Sequence, residues 1–168
     1  MKNKTIIVTA ILILSIGGLF WWSRPDSNKA PTDPNTDLAE SALRALETFY
    51  DFGRISMRQG LVEKTFTVTN SSDRDMALEK ITTSCMCTSA YLETAGGKEK
   101  GPFGMIGHSE SAPRVNETIK AGEIRKVRVV FDPNAHGPAG IGIINRVVIL
   151  EADSGDQLEL EISATVTP

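Results

Sequence analysis

Two cysteines separated by one residue are the part of this sequence best suited to chemistry. Cys85 and Cys87 flank Met86 in the segment 84–88, SCMCT. On an extended strand the two cysteine side chains share one face, with Cα atoms about 6.7 Å apart, at the outer limit of disulfide geometry. The spacing leaves three states open: buried core thiols, a strained and reducible disulfide, or two thiolates bound to one soft ion.

Further soft ligands occur elsewhere in the chain. Thioether and imidazole groups, together with thiolates, are ligands that suit Cu(I). The candidate ligands are Cys85, Met86, Cys87, Met105, His108 and His136. They predict a Cu(I) site, with thiol redox exchange as another use of the cysteines. The structural alternative is that the methionines fill gaps in a core and that both histidines are exposed loop residues.

The composition excludes several classes of site and partner. The 168 residues include only two Cys and two His, too few for a disulfide-rich scaffold, a four-cysteine zinc module or a three-histidine site. With 18 Lys and Arg against 21 Asp and Glu, the net charge of -3 gives no overall attraction to nucleic acid. The sequence also lacks the ordered residues of a hydrolase motif. We therefore expect a protein that is not an enzyme and has no catalytic residues.

The N-terminal segment predicts a membrane anchor. Residues 5–22, TIIVTAILILSIGGLFWW, carry no charge and are long enough to span a bilayer as a helix. The terminal Trp21 and Trp22 suit the membrane–water interface. A cleaved signal peptide, with small residues at 15–17, is the alternative.

The charges that flank this span predict its orientation. Lys2 and Lys4 precede it, whereas Arg24 follows it beside Asp26. Because positive charge is retained on the cytoplasmic side, we expect residues 1–24 to form a single-pass signal anchor with the N-terminus inside. The rest of the chain is then extracytoplasmic.

Residues 25–43 are predicted to be a flexible linker. Pro25, Pro31 and Pro34 lie among small polar residues that cannot form a core. Within and just beyond the linker, residues 38–46 have apolar side chains at helical spacing. They predict a short helix that leads into the following domain.

From residue 44 to residue 168 the pattern is that of strands. Apolar and polar side chains alternate with a period of two, which places one face of each strand in a core. The core positions predicted in this way are Phe66, Val68, Val127, Val129, Phe131, Leu158, Leu160, Ile162, Ala164 and Val166. Residues 146–150, RVVIL, are apolar on both faces, as expected of a central strand. Short strands separated by turn signals favour an all-β sandwich.

Several motifs follow one another in the order seen in a bacterial protein family. They are Tyr50-Asp51-Phe52-Gly53-Arg54-Ile55, Phe66-Thr67-Val68-Thr69-Asn70, Ser84-Cys85-Met86-Cys87-Thr88, and Ile119-Lys120-Ala121-Gly122-Glu123 before Val127-Arg128-Val129-Val130-Phe131. Over residues 49–166 the chain thus resembles the domain-of-unknown-function 1573 family. The resemblance implies an immunoglobulin-like sandwich of the hydin and major-sperm-protein type, commonly exported and membrane-tethered, with no established activity.

The sequence departs from the family pattern at three places. Met86 stands where the family usually has Gly, and Ala121 stands where Pro is usual. An additional loop extends from about residue 93 to residue 117, with a glycine-rich part over 96–113. Two of these departures, Met86 and the loop, concern the surroundings of the cysteines.

These observations favour a non-enzymatic module of the bacterial cell envelope. We expect it to be held at the membrane by its N-terminal helix and to bind an envelope protein through a loop or a sheet edge. The alternative is a Cu(I)-binding or thiol-redox domain that uses the segment from Cys85 to Cys87.

Overall fold

A computed structural model describes residues 41–107 and 114–168, which fall within one compact unit, Glu40–Pro168. These residues form ten strands and two short 3-10 turns, Met57–Gln59 and Gly137–Gly140. The strands are β1 (Leu43–Ala45), β2 (Phe49–Ser56), β3 (Val62–Asn70), β4 (Met76–Thr83), β5 (Thr88–Glu93), β6 (Glu99–Phe103), β7 (Glu117–Ile119), β8 (Ile124–Phe131), β9 (Gly142–Ala152) and β10 (Gln157–Thr167).

The strands form two five-stranded sheets. The first has the order β1-β3-β8-β5-β6 and the second the order β2-β10-β9-β4-β7. All neighbouring strands are antiparallel except β2 and β10, which are parallel. The all-β sandwich predicted from the alternating pattern is therefore confirmed.

One hydrophobic core joins the two sheets. Phe66 of β3 and Val129 of β8, in the first sheet, pack in the same cluster as Leu160 and Ile162 of β10, in the second. Each of these four side chains is at most 1% exposed. All ten core positions predicted from the alternation are buried, because each strand turns every second residue toward the facing sheet.

The prediction of a central strand at residues 146–150 is also confirmed, since β9 lies between β10 and β4. Burial nevertheless alternates along it. Val148 and Leu150 are fully buried, whereas Val147 and Ile149 are only partly buried. Only one face of each sheet packs against the core. Apolar residues on the opposite face, such as Val147 and Ile149, are therefore only partly buried.

Two local predictions are corrected. Residues 43–45 do not continue a helix but form β1, which pairs with the end of β3 and buries Leu43. The segment predicted as a continuous glycine-rich loop over 96–113 contains β6, which forms a hairpin with β5 at the edge of the first sheet. In both cases pairing with an existing strand outweighs the local pattern.

The predicted anchor (residues 1–24), the part of the predicted linker over residues 25–40, and His108 lie outside the described residues. The linker prediction ends too late, because Leu43 already belongs to β1. Within the described part of the chain, no helix is long and apolar enough to cross a membrane.

Candidate functional site

The cysteine segment lies where the chain passes from one sheet to the other. β4 of the second sheet ends at Thr83, β5 of the first begins at Thr88, and the four residues between them form a tight turn. The backbone N–H of Thr88 donates to the carbonyl of Cys85 over 3.1 Å, which closes this turn. The chain returns to the second sheet between β8 and β9, at the same end of the sandwich.

This turn corrects the extended geometry predicted for the cysteines. Their Cα atoms lie 5.2 Å apart instead of about 6.7 Å. The two Sγ atoms are at bonding distance and form a disulfide. The turn brings the side chains together because it shortens the path between alternate residues, which an extended strand cannot do.

Two buried threonines hold the turn. The hydroxyl of Thr83 lies 2.9 Å from the carbonyl oxygen of Cys85 and 3.1 Å from that of Thr88. The N–H of Asp132, at the end of β8, donates to the carbonyl of Cys87 over 2.9 Å. The β4–β5 connection and the β8–β9 connection are thus hydrogen-bonded to each other at Cys87.

The two sulfurs have different surroundings. Cys87 is 3% exposed, whereas Cys85 is only partly buried. The Nε of Arg146 donates to the Sγ of Cys87 over 3.1 Å, and the Nη1 of the same side chain donates to the carbonyl of Asn145 over 2.7 Å. A guanidinium at this distance stabilises negative charge on the Cys87 sulfur.

His136 lies against the other cysteine. Its Nε2 is 3.2 Å from the Sγ of Cys85, and the imidazole is exposed to solvent. The backbone N–H of Cys87 also donates to the Cys85 Sγ, over 3.3 Å. His136 reaches this position because the turn after β8 begins with Asp132, whose carboxylate accepts from the N–H of Asn134.

The six predicted ligands are placed in three ways. Cys85, Cys87 and His136 come together, with their ligand atoms all within 4.8 Å of one another. Met86 points away from the core at the tip of the turn and is 53% exposed, and Met105 is partly buried after β6. His108 lies outside the described residues.

Arg146 is the site residue that the sequence did not indicate as functional. The sequence pattern indicates only that it begins a central apolar strand. The available signal was a pair of polar residues, Asn145 and Arg146, interrupting the otherwise apolar run from Ile143 to Leu150. A charge inside a central strand needs hydrogen-bond partners, and here they are the Cys87 sulfur and the Asn145 carbonyl.

The fold and the site together define an immunoglobulin-like β-sandwich with a cysteine pair at one end. Residues 43–101 match the family described as "Protein of unknown function (DUF1573)", which confirms the resemblance seen in the motifs. The match includes both cysteines but is shorter than the predicted extent of 49–166. No curated protein matches the chain significantly.

Solved structures show similar folds at low sequence identity. A protein of unknown function from Porphyromonas gingivalis W83 matches with a TM-score of 0.53 and 13% identity, over 74% of this chain and 46% of that one. Two further structures have lower TM-scores. The VesB protease of Vibrio cholerae matches with a TM-score of 0.48 and 15% identity, over 74% of this chain and 32% of that one. PapD-like domain 7 of human CEP192 matches with a TM-score of 0.48 and 13% identity, over 86% of this chain and 98% of that one. The chain spans less than half of the Porphyromonas protein, so that likeness concerns the fold alone.

Proposed function

We propose that this chain is an extracytoplasmic module that exchanges disulfides with a protein partner through Cys85 and Cys87. The observation that carries the proposal is the unequal environment of the two bonded sulfurs. Cys85 is the more accessible and has an imidazole beside it, whereas Cys87 is buried and accepts a hydrogen bond from Arg146. A purely structural disulfide needs neither feature.

This asymmetry determines which bond forms and which breaks. The thiolate of a partner attacks the Sγ of Cys85, since Cys87 is only 3% exposed. A mixed disulfide forms to Cys85, and the bonding electrons of the Cys85–Cys87 bond leave on the sulfur of Cys87. Leaving thiolates depart faster when they are stabilised, and Arg146 supplies that stabilisation.

A second partner thiol completes the exchange. It attacks the partner sulfur of the mixed disulfide and releases Cys85 as a thiolate. The partner dithiol is thereby oxidised to a disulfide, and the Cys85–Cys87 disulfide is reduced to two thiols. His136 is placed to take a proton from the attacking thiol and to return one to Cys85. The exchange is stoichiometric, in keeping with the expectation of a module that is not an enzyme.

The proposed compartment follows from the sequence. We propose that residues 1–24 are an anchor with Lys2 and Lys4 inside, an orientation in which the domain lies beyond the membrane, in the cell envelope. Disulfides form and persist there, whereas cytoplasmic thiols are kept reduced. A partner with exposed cysteines is therefore expected in the same compartment.

Trapping of the mixed disulfide tests the proposal. The full-length Cys87→Ser variant should form a stable adduct with a one-cysteine peptide that is activated as a disulfide with thionitrobenzoate, because the Cys85 thiolate displaces thionitrobenzoate and no second thiol remains to release the peptide. The matched Cys85→Ser variant should form little adduct, since Cys87 is buried. With a second peptide that carries two cysteine thiols, mass spectrometry should show that the oxidised wild-type chain gains two hydrogens as this peptide loses two. A wild-type disulfide that resists excess dithiol until the chain unfolds would refute the exchange.

The reduced site also supports a second candidate function, Cu(I) binding. The specific observation is the convergence of two sulfurs and the His136 imidazole within 4.8 Å, a soft donor set that suits this ion. Of the other predicted ligands, the exposed Met86 lies within the turn, and the partly buried Met105 follows Gly104, whose carbonyl accepts from the N–H of Thr83 over 3.3 Å. Cu(I) would compete with exchange for the same thiolates.

Competition with a chelator tests the metal. The reduced full-length chain should take Cu(I) from a moderate chelator and keep it at acidic pH, because a soft cation holds sulfur deprotonated. The Cys85→Ser/Cys87→Ser variant should lose binding, and His136→Gln should weaken it. Changing Met105 to Leu or His108 to Gln should have a smaller effect. Absence of uptake by the reduced wild-type chain would exclude this function.

A further inference from the structure

The edge of β9 beside the cysteines is only half covered. Along its other side β9 pairs with β10 from Gly142 to Glu151. On the β4 side the paired residues run only from Val148 to Ala152, and the last contact is between Ser84 and Val147. In the described part of the chain, residues 142–146 therefore have no strand on the β4 side.

The backbone groups of this half-edge point outward. Ser84 donates its N–H to the carbonyl of Val147 over 2.9 Å, and the N–H of Val147 donates to the Ser84 hydroxyl over 2.9 Å. Since N–H and C=O groups change sides at each residue of an antiparallel ladder, Asn145 and Ile143 face the same side as Val147. Both residues are exposed, Ile143 to 82%.

The open edge leads directly to the disulfide. β4 leaves the second sheet at Ser84, and the next residue is Cys85. Arg146, which follows Asn145 on this edge, contacts the Sγ of Cys87. A strand placed against residues 142–146 continues the line of β4 and ends beside the accessible sulfur.

We infer that the partner of this site is an extended polypeptide segment that adds as a strand to residues 142–146 and presents a cysteine to Cys85. The inference rests on the proposed disulfide exchange. Among the described residues, the N–H and C=O groups of Ile143 and the N–H of Asn145 have no strand partner, and they recognise extended backbone, whatever its sequence. The exposed Ile143 side chain contacts apolar side chains of the added strand. The disulfide selects a segment that contains a thiol.

Rates of reduction by matched thiols test this docking. The probes are an eight-residue extended peptide with one cysteine, the same peptide with alternate backbone amides N-methylated, and glutathione. The unmodified peptide should reduce the full-length wild-type chain about tenfold faster than the N-methylated one. This ratio corresponds to the one or two hydrogen bonds to the β9 edge that N-methylation removes. Equal rates for the two peptides, with glutathione still reactive, would overturn the docking and leave the exchange intact.

A variant pair separates backbone from side chain. Ile143→Pro removes an N–H that faces the open edge and is not used in pairing with β10, so the peptide should lose its advantage while glutathione reacts at the wild-type rate. Ile143→Thr keeps the N–H and should keep most of the advantage. If Ile143→Pro does not fold, the N-methylated peptide still gives the result on the wild-type chain.

A binding measurement tests docking without redox chemistry. The peptide with Ser in place of Cys should slow hydrogen exchange at the amides of Ile143 and Asn145 in the oxidised full-length chain. Protection there with no reactivity toward any thiol would reject the exchange and keep the strand site. Unchanged exchange at both amides at saturating peptide would reject the strand site.

Discussion

At the scale of single residues, the chemistry of this site arises from the different neighbours of two identical side chains. Cys85 and Cys87 are one residue apart, yet the turn presents one to His136 and solvent and the other to Arg146 in the interior. A symmetrical pair would offer two equivalent sulfurs to an attacking thiol. In the exchange that we propose, burial of Cys87 and the guanidinium beside it make Cys85 the attacked sulfur and Cys87 the leaving sulfur.

The role of Arg146 gives the first prediction. Arg146→Met should slow reduction of the disulfide by dithiothreitol about tenfold, because a hydrogen bond from a cation to the departing thiolate contributes roughly 1.4 kcal/mol or more. Arg146→Lys keeps the charge and should recover part of the rate. Timed alkylation followed by mass spectrometry measures the fraction reduced.

Arg74→Met is the matched control for this measurement. Arg74 is an exposed arginine just before β4, at the end of that strand opposite the cysteines. Its replacement should leave the rate of reduction unchanged. If Arg146→Met is reduced as fast as the wild-type chain, the guanidinium does not assist departure of Cys87.

At the scale of the elements, the pattern of apolar residues predicted β3, β8, β9 and β10 and missed the features set by pairing. The alternation in β10, where Leu160 and Ile162 are fully buried, identifies the core face without knowledge of the partner strand. The three-residue β1 and the five-residue β6 are too short to show a period, and each exists because an adjacent strand offers hydrogen bonds. The cysteine turn was missed for a related reason. Its geometry depends on Thr83 and Asp132, which come from different sheets.

The core predicted from periodicity gives the second prediction. Phe66→Ala should lower the free energy of unfolding by about 3–5 kcal/mol, because it removes a fully buried ring and leaves a cavity. Lys126→Ala, at an exposed position of the neighbouring β8, should change it by less than about 0.5 kcal/mol. Urea unfolding monitored by far-UV circular dichroism measures the free energy of unfolding of both variants. Equal tolerance of the two substitutions would mean that the face assigned to β3 is wrong.

The Lys100–Glu117 pair gives a third prediction, on acid stability. The ammonium of Lys100, on β6, lies 2.7 Å from the carboxylate of Glu117, on β7, and this hydrogen bond lowers the pKa of Glu117 below its ordinary value of 4.5. A carboxyl group with a lowered pKa stabilises the fold above its unfolded pKa, and this contribution disappears as the pH falls through the folded pKa.

Unfolding of Glu117→Gln at two pH values tests this effect. At pH 7 the variant should be less stable than the wild-type chain by about 0.5–1 kcal/mol, as for a partly exposed ion pair. At an acidic pH below the lowered pKa of Glu117 the difference should shrink, because the carboxylate becomes protonated in the wild-type chain and loses its ion pair. A constant difference at both pH values would attribute the loss to packing.

At the scale of the whole molecule, we expect the disulfide to contribute little to the stability of the fold. The disulfide closes a loop with a sequence separation of two, so it restricts the unfolded chain by no more than about 2 kcal/mol. The core that joins the two sheets is continuous, from Phe66 on one side to Leu160 on the other. The proposed exchange requires the domain to remain folded in both the oxidised and the reduced state. A core whose stability depends little on the disulfide meets this requirement.

The last prediction concerns topology. If residues 5–22 are retained as a span with Lys2 and Lys4 inside, protease added to intact spheroplasts should digest the sandwich and leave a short membrane-bound fragment that contains the N-terminus. Positive charge before the span resists translocation, which is the physical reason for this orientation. A cytoplasmic marker protein should survive the same treatment, which shows that the membrane is intact. Reversing the flanking charge, with Lys2→Glu and Lys4→Glu together with Asp26→Lys, should increase the fraction of chains whose sandwich is protected. Recovery of a soluble mature form that begins near Gly18 would show instead that the segment is a cleaved signal peptide.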